Sequence, residues 1–271
     1  MHAQIPARGA LVSLTAFGAD AVRLHGQAFF ARLAAEAGAD GIEVRGELLR
    51  DDVNRELDVL AAWADEAGLA RVYSSPSGLW DAAGCFDAAA VRESLDRAER
   101  LGAGWLKMSI GGFGPDALSG LGALQAMLAG RPVELLIEND QTESAGTIPA
   151  LTAFFRATDE AGMLLGMTFD MGNWHWVGEC PLRAADAFAS RIRYVHCKGV
   201  LRGPDRWVAV PLESSAAPWR AVLRALPVMS PRAIEYPLTG ADLVRVTGQA
   251  LVALRRLERS FPDAPAGAVL P

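Results

Sequence analysis

Lysine is nearly absent from this chain of 271 residues: Lys107 and Lys198 are the only two, and arginine supplies the rest of the 26 basic residues. Both lysines fall at the ends of apolar runs, which is not what surface drift leaves behind. Histidine is also scarce, with four residues (His2, His25, His175 and His196), so any site built on several imidazoles is hard to assemble. The three cysteines, Cys85, Cys180 and Cys197, are odd in number and widely spaced. With no CxxC pair among them, neither a disulfide framework nor a zinc ribbon is indicated. No run approaches the roughly 18 apolar residues of a membrane span. The basic start and apolar stretch of a signal peptide are missing too, and a cytoplasmic protein is expected. The net charge of −6 gives no general attraction to a polyanion, so no nucleic-acid partner is expected.

What is present is a large apolar content, 51%, with a mean hydropathy of +0.16. The length suits one α/β domain, taken as 1–271, with the Pro- and Ala-rich tail 261–271 peripheral or a partner contact. Short apolar runs alternate with helix-periodic stretches. Strands are expected at 11–17, 41–49, 69–74, 105–110, 134–139, 164–170, 192–198 and 233–237. Helices are expected at 21–37, 54–67, 87–101, 117–129, 148–161, 182–189, 219–225 and 242–258, with Asp87 capping the third. Eight such units in strict order imply parallel strands with right-handed crossovers, and a closed (β/α)₈ TIM barrel is the economical solution. A doubly wound open sheet is the alternative.

In such a barrel the strand ends form the active mouth. Four chemically suitable side chains sit there: Glu138 in ELLIEND, Asp170 in LLGMTFD, His196 in IRYVHCK and Glu235 in RAIEYPL. Three carboxylates and one imidazole converging on one mouth need a cation, and the oxygen-rich set suits one Mn²⁺, Mg²⁺, Co²⁺ or Zn²⁺ ion. Other polar residues at strand ends are Glu43, Arg45, Ser74, Ser75, Lys107, Ser109, Asn139, Gln141, Asn173, His175 and Lys198. Of Glu43 and Arg45, one is expected to face the helices and pair there. His175 reads as a loop histidine among aromatics, Trp80, Trp174, Trp176 and Trp207 as candidate apolar walls of the mouth, and Cys197 as core. Gly111, Gly112 and Gly114 read as a plain turn.

The segments GADGIEVRGELL, LLIENDQ, TFDMGNWHWVGE, YVHCKGVLR and AIEYPL resemble the xylose isomerase-like barrels, from about the second strand to the eighth. That superfamily includes sugar phosphate isomerases, ketose 3-epimerases, hydroxypyruvate isomerases, 3-dehydroshikimate dehydratases and endonuclease IV. The resemblance implies that Glu138, Asp170, His196 and Glu235 hold one divalent metal. It also places on Arg202 the arginine that epimerases carry six residues past the histidine. The chain departs from the family pattern at Asn173, where many members have histidine, and at Ser144, where ketose epimerases have glutamate. Four histidines in all cannot supply the trinuclear zinc site of endonuclease IV.

The implied chemistry is proton transfer next to a carbonyl through an enediolate. Glu138 and Glu235 form the acid/base pair, and Lys107 and Arg202 orient the substrate. The expected substrate is a small sugar, with or without phosphate, or a keto acid. A dehydratase of a cyclic keto-polyol such as 3-dehydroshikimate or keto-inositol stays open, as do an inactive binding protein of this fold and a homo-oligomer.

Overall fold

The computed structural model describes residues 4–260; the tail 261–271 lies outside them. Its element order is β1 (Ala10–Ser13), α1 (Ala19–His25), α2 (Gln27–Glu36), β2 (Gly41–Arg45), α3 (Val53–Ala67), β3 (Ala70–Trp80), α4 (Ala88–Leu101), β4 (Trp105–Gly111) and α5 (Leu121–Leu128). There follow β5 (Glu134–Glu138), α6 (Glu143–Gly146), α7 (Ile148–Glu160), β6 (Gly166–Asp170), α8 (Pro181–Phe188), β7 (Ile192–Cys197), β8 (Gly199–Arg202), β9 (Trp207–Val210), α9 (Trp219–Ala225), β10 (Arg232–Ile234) and α10 (Leu243–Ser260). Eight strands close a barrel in the order β1-β10-β7-β6-β5-β4-β3-β2, every neighbouring pair parallel. The barrel expected from the eight-fold alternation is therefore observed.

Two apolar compartments hold it. The larger lies between strands and helices, where Ile42, Val44, Leu106, Ile137, Phe169, Val195 and Ile234 meet helix faces such as Leu57 and Leu60 of α3. The smaller fills the barrel interior and contains Leu11, Val72, Leu136, Tyr194 and Ala233, all fully buried. Side chains two apart on a strand share a face. The residues two positions beyond this layer are therefore Ser13, Ser74, Glu138, His196 and Glu235. A polar layer at the C-terminal mouth thus stands directly on an apolar floor.

Local departures from the expected boundaries have physical causes. The first strand ends at Ser13, and residues 14–17 form a 3₁₀ turn that continues into α1. The continuous apolar period over 21–37 is two helices, because Gly26 takes φ 82° and its N–H caps Val22 O. The third strand runs six residues past its expected end, to Trp80, with a register shift against β4 between Ser74 and Gly78. Gly111 makes that extension possible: at φ 63°, a Cβ there would stand 2.0 Å from Trp80 O. The expected helix 117–129 starts as a 3₁₀ segment, Pro115–Gly120, before α5. Asp87 caps α4 as expected, its carboxylate accepting Ala90 N–H at 2.9 Å. The antiparallel hairpin β8–β9 was not anticipated. Its turn, closed by Gly203 N–H to Arg206 O at 2.8 Å, is the Gly-Pro-Asp-Arg stretch, a turn signal between two apolar runs.

Candidate metal centre

Glu138 ends β5, Asp170 ends β6, His196 is the penultimate residue of β7, and Glu235 follows β10. One donor atom from each lies within 4.8 Å of the others. The spacing along the chain thus becomes convergence in space.

The imidazole organises the centre. His196 is completely buried. Its Nε2–H donates to Glu43 Oε2 at 2.6 Å. Glu43 is also completely buried; its carboxyl is held below the usual range because His196 and Lys107 outweigh the burial that would raise it. An ionised carboxylate only accepts, so the proton belongs on Nε2. Nδ1 then faces Glu138 Oε1 at 3.1 Å, Glu235 Oε2 at 3.1 Å and Asp170 Oδ2 at 3.6 Å. In the neutral ring this is a lone pair pointed at three acceptor oxygens. Nδ1 also lacks a hydrogen-bond partner. A proton on Nδ1 or a cation between these atoms resolves the clash, and the donor set of three carboxylates and one imidazole fits a divalent ion. The carboxylate behind the imidazole matches the outer support that metal-bound histidines use.

Around the donors lies a ring of cations. Lys107 Nζ is 2.8 Å from Glu138 Oε1 and 3.2 Å from Glu43 Oε1. Lys198 Nζ is 2.7 Å from Asp170 Oδ2 and 2.9 Å from Glu235 Oε2. Arg45 Nη1 donates to Glu235 Oε1 at 2.8 Å and to Glu43 Oε1 at 3.0 Å. Buried Gln27 fixes the Arg45 backbone, accepting its N–H at 2.8 Å and donating to its carbonyl at 2.9 Å. Burial opposes charge on both lysines, yet the carboxylates win and raise both pKa values. They are ammonium groups, not nucleophilic amines. Burial likewise pushes the Glu138 and Glu235 carboxyls up; Lys107 at the first, and His196 with Lys198 at the second, reverse this and hold them low. For Asp170 burial prevails over Lys198 and the value is raised.

The outer support is backbone-rich. Asp170 Oδ1 accepts the N–H groups of Gly172 and Asn173 at 2.8 and 2.9 Å. Asn139 pairs with the Asp170 backbone in both directions, and Asn173 Nδ2 donates to Asn139 O at 2.8 Å. Asn173 here bolts the β5 and β6 loops together.

Above the centre opens a cavity of about 510 Å³, lined by Thr15, Arg45, Glu138, Gln141, Asn173, Lys198, Glu235 and Tyr236 among others. Lys198 reaches it, whereas Lys107, only 1% exposed, lies beneath Glu138. Arg202 is not brought to this group: it is exposed on β8, with its guanidinium 5.6 Å from the centre of the Trp207 ring. The His175 ring packs 5.2 Å from the same Trp207. Trp80 and Trp174 are buried among phenylalanines in the outer core and form no cavity wall, and Cys197 is core as expected. Glu43 and Arg45 both turn inward, correcting the expectation that one would face the helices. Their two-residue spacing on one strand already required a shared face.

The model of the xylose isomerase-like TIM barrel family matches residues 31–243. The chain belongs to that family. Solved xylose isomerase-like barrels superpose over nearly the full chain at low identity. A xylose isomerase domain protein from Planctomyces limnophilus is 20% identical with a TM-score of 0.67, covering 95% of this chain and 98% of that one. D-allulose 3-epimerase from a Methylomonas species, solved with D-allulose, is 17% identical with a TM-score of 0.67, covering 94% and 99%. D-psicose 3-epimerase from Clostridium cellulolyticum H10, solved with D-tagatose, is 12% identical with a TM-score of 0.65, covering 94% and 100%. No curated protein matches the chain. Among the described residues no helix is long and apolar enough to cross a membrane.

Proposed function

We propose that this barrel is a divalent-metal-dependent isomerase or epimerase that moves a proton next to the carbonyl of a small sugar or keto acid. The observation that carries the reading is the placement of two ionised glutamates from separate strand ends, Glu138 and Glu235, each 3.1 Å from His196 Nδ1 at the floor of an open cavity. Glu138, Asp170, His196 and Glu235 would hold the ion. When bound, it supplies electrophilic stabilisation of the negative charge that develops on the carbonyl oxygen.

The remaining work falls to the chain. One glutamate, as a carboxylate, takes the proton on the carbon beside the carbonyl; the other returns a proton that it has first taken up from water. Lys107 at Glu138, and His196 with Lys198 at Glu235, keep the resting carboxylates ionised and able to accept. Thr15, Gln141 and Asn173 offer hydroxyl and amide groups along the wall, suited to a polyol. A cavity of about 510 Å³ is of small-ligand size. The epimerases of the same fold, solved with D-allulose and D-tagatose, act on molecules of this class.

The test is a panel of ketoses, aldoses and cyclic keto acids incubated in D₂O with the Mn²⁺-loaded protein. Deuterium entering beside the carbonyl of at least one of them, and failing to enter with Glu235→Gln, is the expected result. Elimination of water, seen as new ultraviolet absorbance, would replace the isomerase by a lyase. Full metal loading with no exchange and no elimination across the panel would sink the proposal.

A further inference from the structure

Each carboxylate oxygen that faces His196 Nδ1 already carries a lysine ammonium. Glu138 Oε1 has Lys107 Nζ at 2.8 Å, and Asp170 Oδ2 and Glu235 Oε2 share Lys198 Nζ at 2.7 and 2.9 Å. These are the oxygens that converge for an ion. They are also held by the only two lysines of a chain that otherwise uses arginine throughout.

We propose that Lys107 and Lys198 are resident counter-ions of the metal centre: they hold its donor oxygens together in the metal-free protein, and a divalent ion binds against their charge. The second half rests on the metal reading above; the first does not.

The residue type fits the task. An ammonium is a compact point charge with three donors, able to bridge two or three oxygens from one position. A guanidinium is a planar fork that would need a wider gap. The sites are built for these stems. Lys107 is 1% exposed and Lys198 8%. Gly172 gives Lys198 its path: a Cβ there would stand 2.7 Å from Lys198 Cγ and 2.9 Å from Cε.

The charge sum explains why they are needed. Glu43, Glu138, Asp170 and Glu235 contribute four negative charges, and Arg45, Lys107 and Lys198 three positive, leaving 0 with His196 as imidazolium and −1 with the neutral ring that a metal ligand must be. A divalent ion changes this to +1. The cluster stays within one charge of neutrality in both states, so it need not collapse or protonate extensively when the ion leaves. Without the lysines the metal-free cluster would stand at −3 with a neutral His196 ring, and at −2 even with an imidazolium beside Arg45. The consequence is an assembled site with weakened metal affinity. The competing idea, that the lysines merely support bound ligands from outside, predicts the opposite sign when they are removed.

The composition allows a direct test on the unaltered chain. Labelling with ¹⁵N-lysine gives two side-chain ammonium signals. In chelator-treated protein both are expected to be resolved from free lysine and slow to exchange, and both should shift as Zn²⁺ is added. Lys107→Met and Lys198→Met should each bind Zn²⁺ more tightly, by about tenfold or more, since a repelling charge within a few ångströms is gone. Their melting temperatures should fall more without metal than with it. Ammonium signals at the free-lysine position in metal-free protein would overturn the first half of the proposal. Weaker zinc binding in both variants would overturn the second. A wild type that takes up no zinc removes the metal reading and the second half with it, and the ammonium signals then decide the first half alone. The same signals decide it if either variant fails to fold.

Discussion

Glu43 on the second barrel strand and His196 on the seventh meet inside the barrel at 2.6 Å, both wholly buried, so that a carboxylate fixes which imidazole nitrogen faces Glu138, Asp170 and Glu235. Neighbouring barrel strands do not make this link; it crosses the lumen.

Removing that support should weaken metal binding without unfolding the barrel. Glu43→Gln is expected to bind Mn²⁺ or Zn²⁺ about 10–100-fold more weakly, the usual cost of losing an outer partner of a metal-bound histidine. Calorimetry measures the affinity, and ¹⁵N spectra of the imidazole report whether Nε2 still carries the proton. Unchanged affinity with a changed tautomer would disconnect the two.

Glu235→Gln, assayed at saturating metal, should lose about 10²–10⁴-fold in proton exchange while keeping its fold. If KM rises instead and kcat stands, Glu235 binds substrate and the base lies elsewhere.

Arg202→Ala should leave kcat/KM within about threefold, because this guanidinium is exposed over Trp207 and does not line the cavity. A large loss of kcat would show that the hairpin β8–β9 folds down over the substrate during turnover.

His175 provides a pH dependence. Burial lowers its pKa below the ordinary imidazole value, with Asp170 opposing weakly. A depressed histidine favours the native state while neutral. Its contribution is therefore complete above the unfolded value of about 6.5 and is lost as pH falls towards the lower folded value. Thermal melts between pH 7.5 and pH 5 should show this loss, and His175→Gln should flatten it; a parallel curve for the variant would assign the slope to other groups.

Gly111→Ala should destabilise the barrel by at least about 1–3 kcal/mol, since the position combines φ 63° with a carbonyl 2.0 Å from the new Cβ. Denaturant melts give the value directly, and the β3 extension to Trp80 is the segment expected to detach first.

The sequence revealed the barrel because eight apolar runs alternate with helical periods, and it revealed Glu138, Asp170, His196 and Glu235 because each stands at or beside the end of such a run. Glu43 and Arg45 were harder. Strand two is equally apolar around both, and only the two-residue period, applied to the pair, turns them inward together. Lys198 stands out in the sequence as one of only two lysines, both at strand ends, but without a partner, because its bridge to Asp170 and Glu235 depends on the closure of β6, β7 and β10. The break at Gly26 and the extension of β3 were hidden because a periodic pattern does not report a positive φ or a pairing partner. The hairpin around Arg202 did have a local signal in its Gly-Pro-Asp turn, overshadowed by the expectation of a plain strand-to-helix loop.

Leu136 beneath Glu138, Tyr194 beneath His196 and Ala233 beneath Glu235 tie assembly of the centre to the threading of the strands. A slip of one residue in β7 would raise Val195 or Cys197 to the level of the imidazole and swing His196 out among the helices. The same slip would drop a carboxylate into the outer core if it occurred in β5. A mis-threaded barrel is therefore also a barrel without its ion site. An ion bound at the candidate site would add its binding energy to that one threading and to none of the others, and would so proofread the fold that carries it.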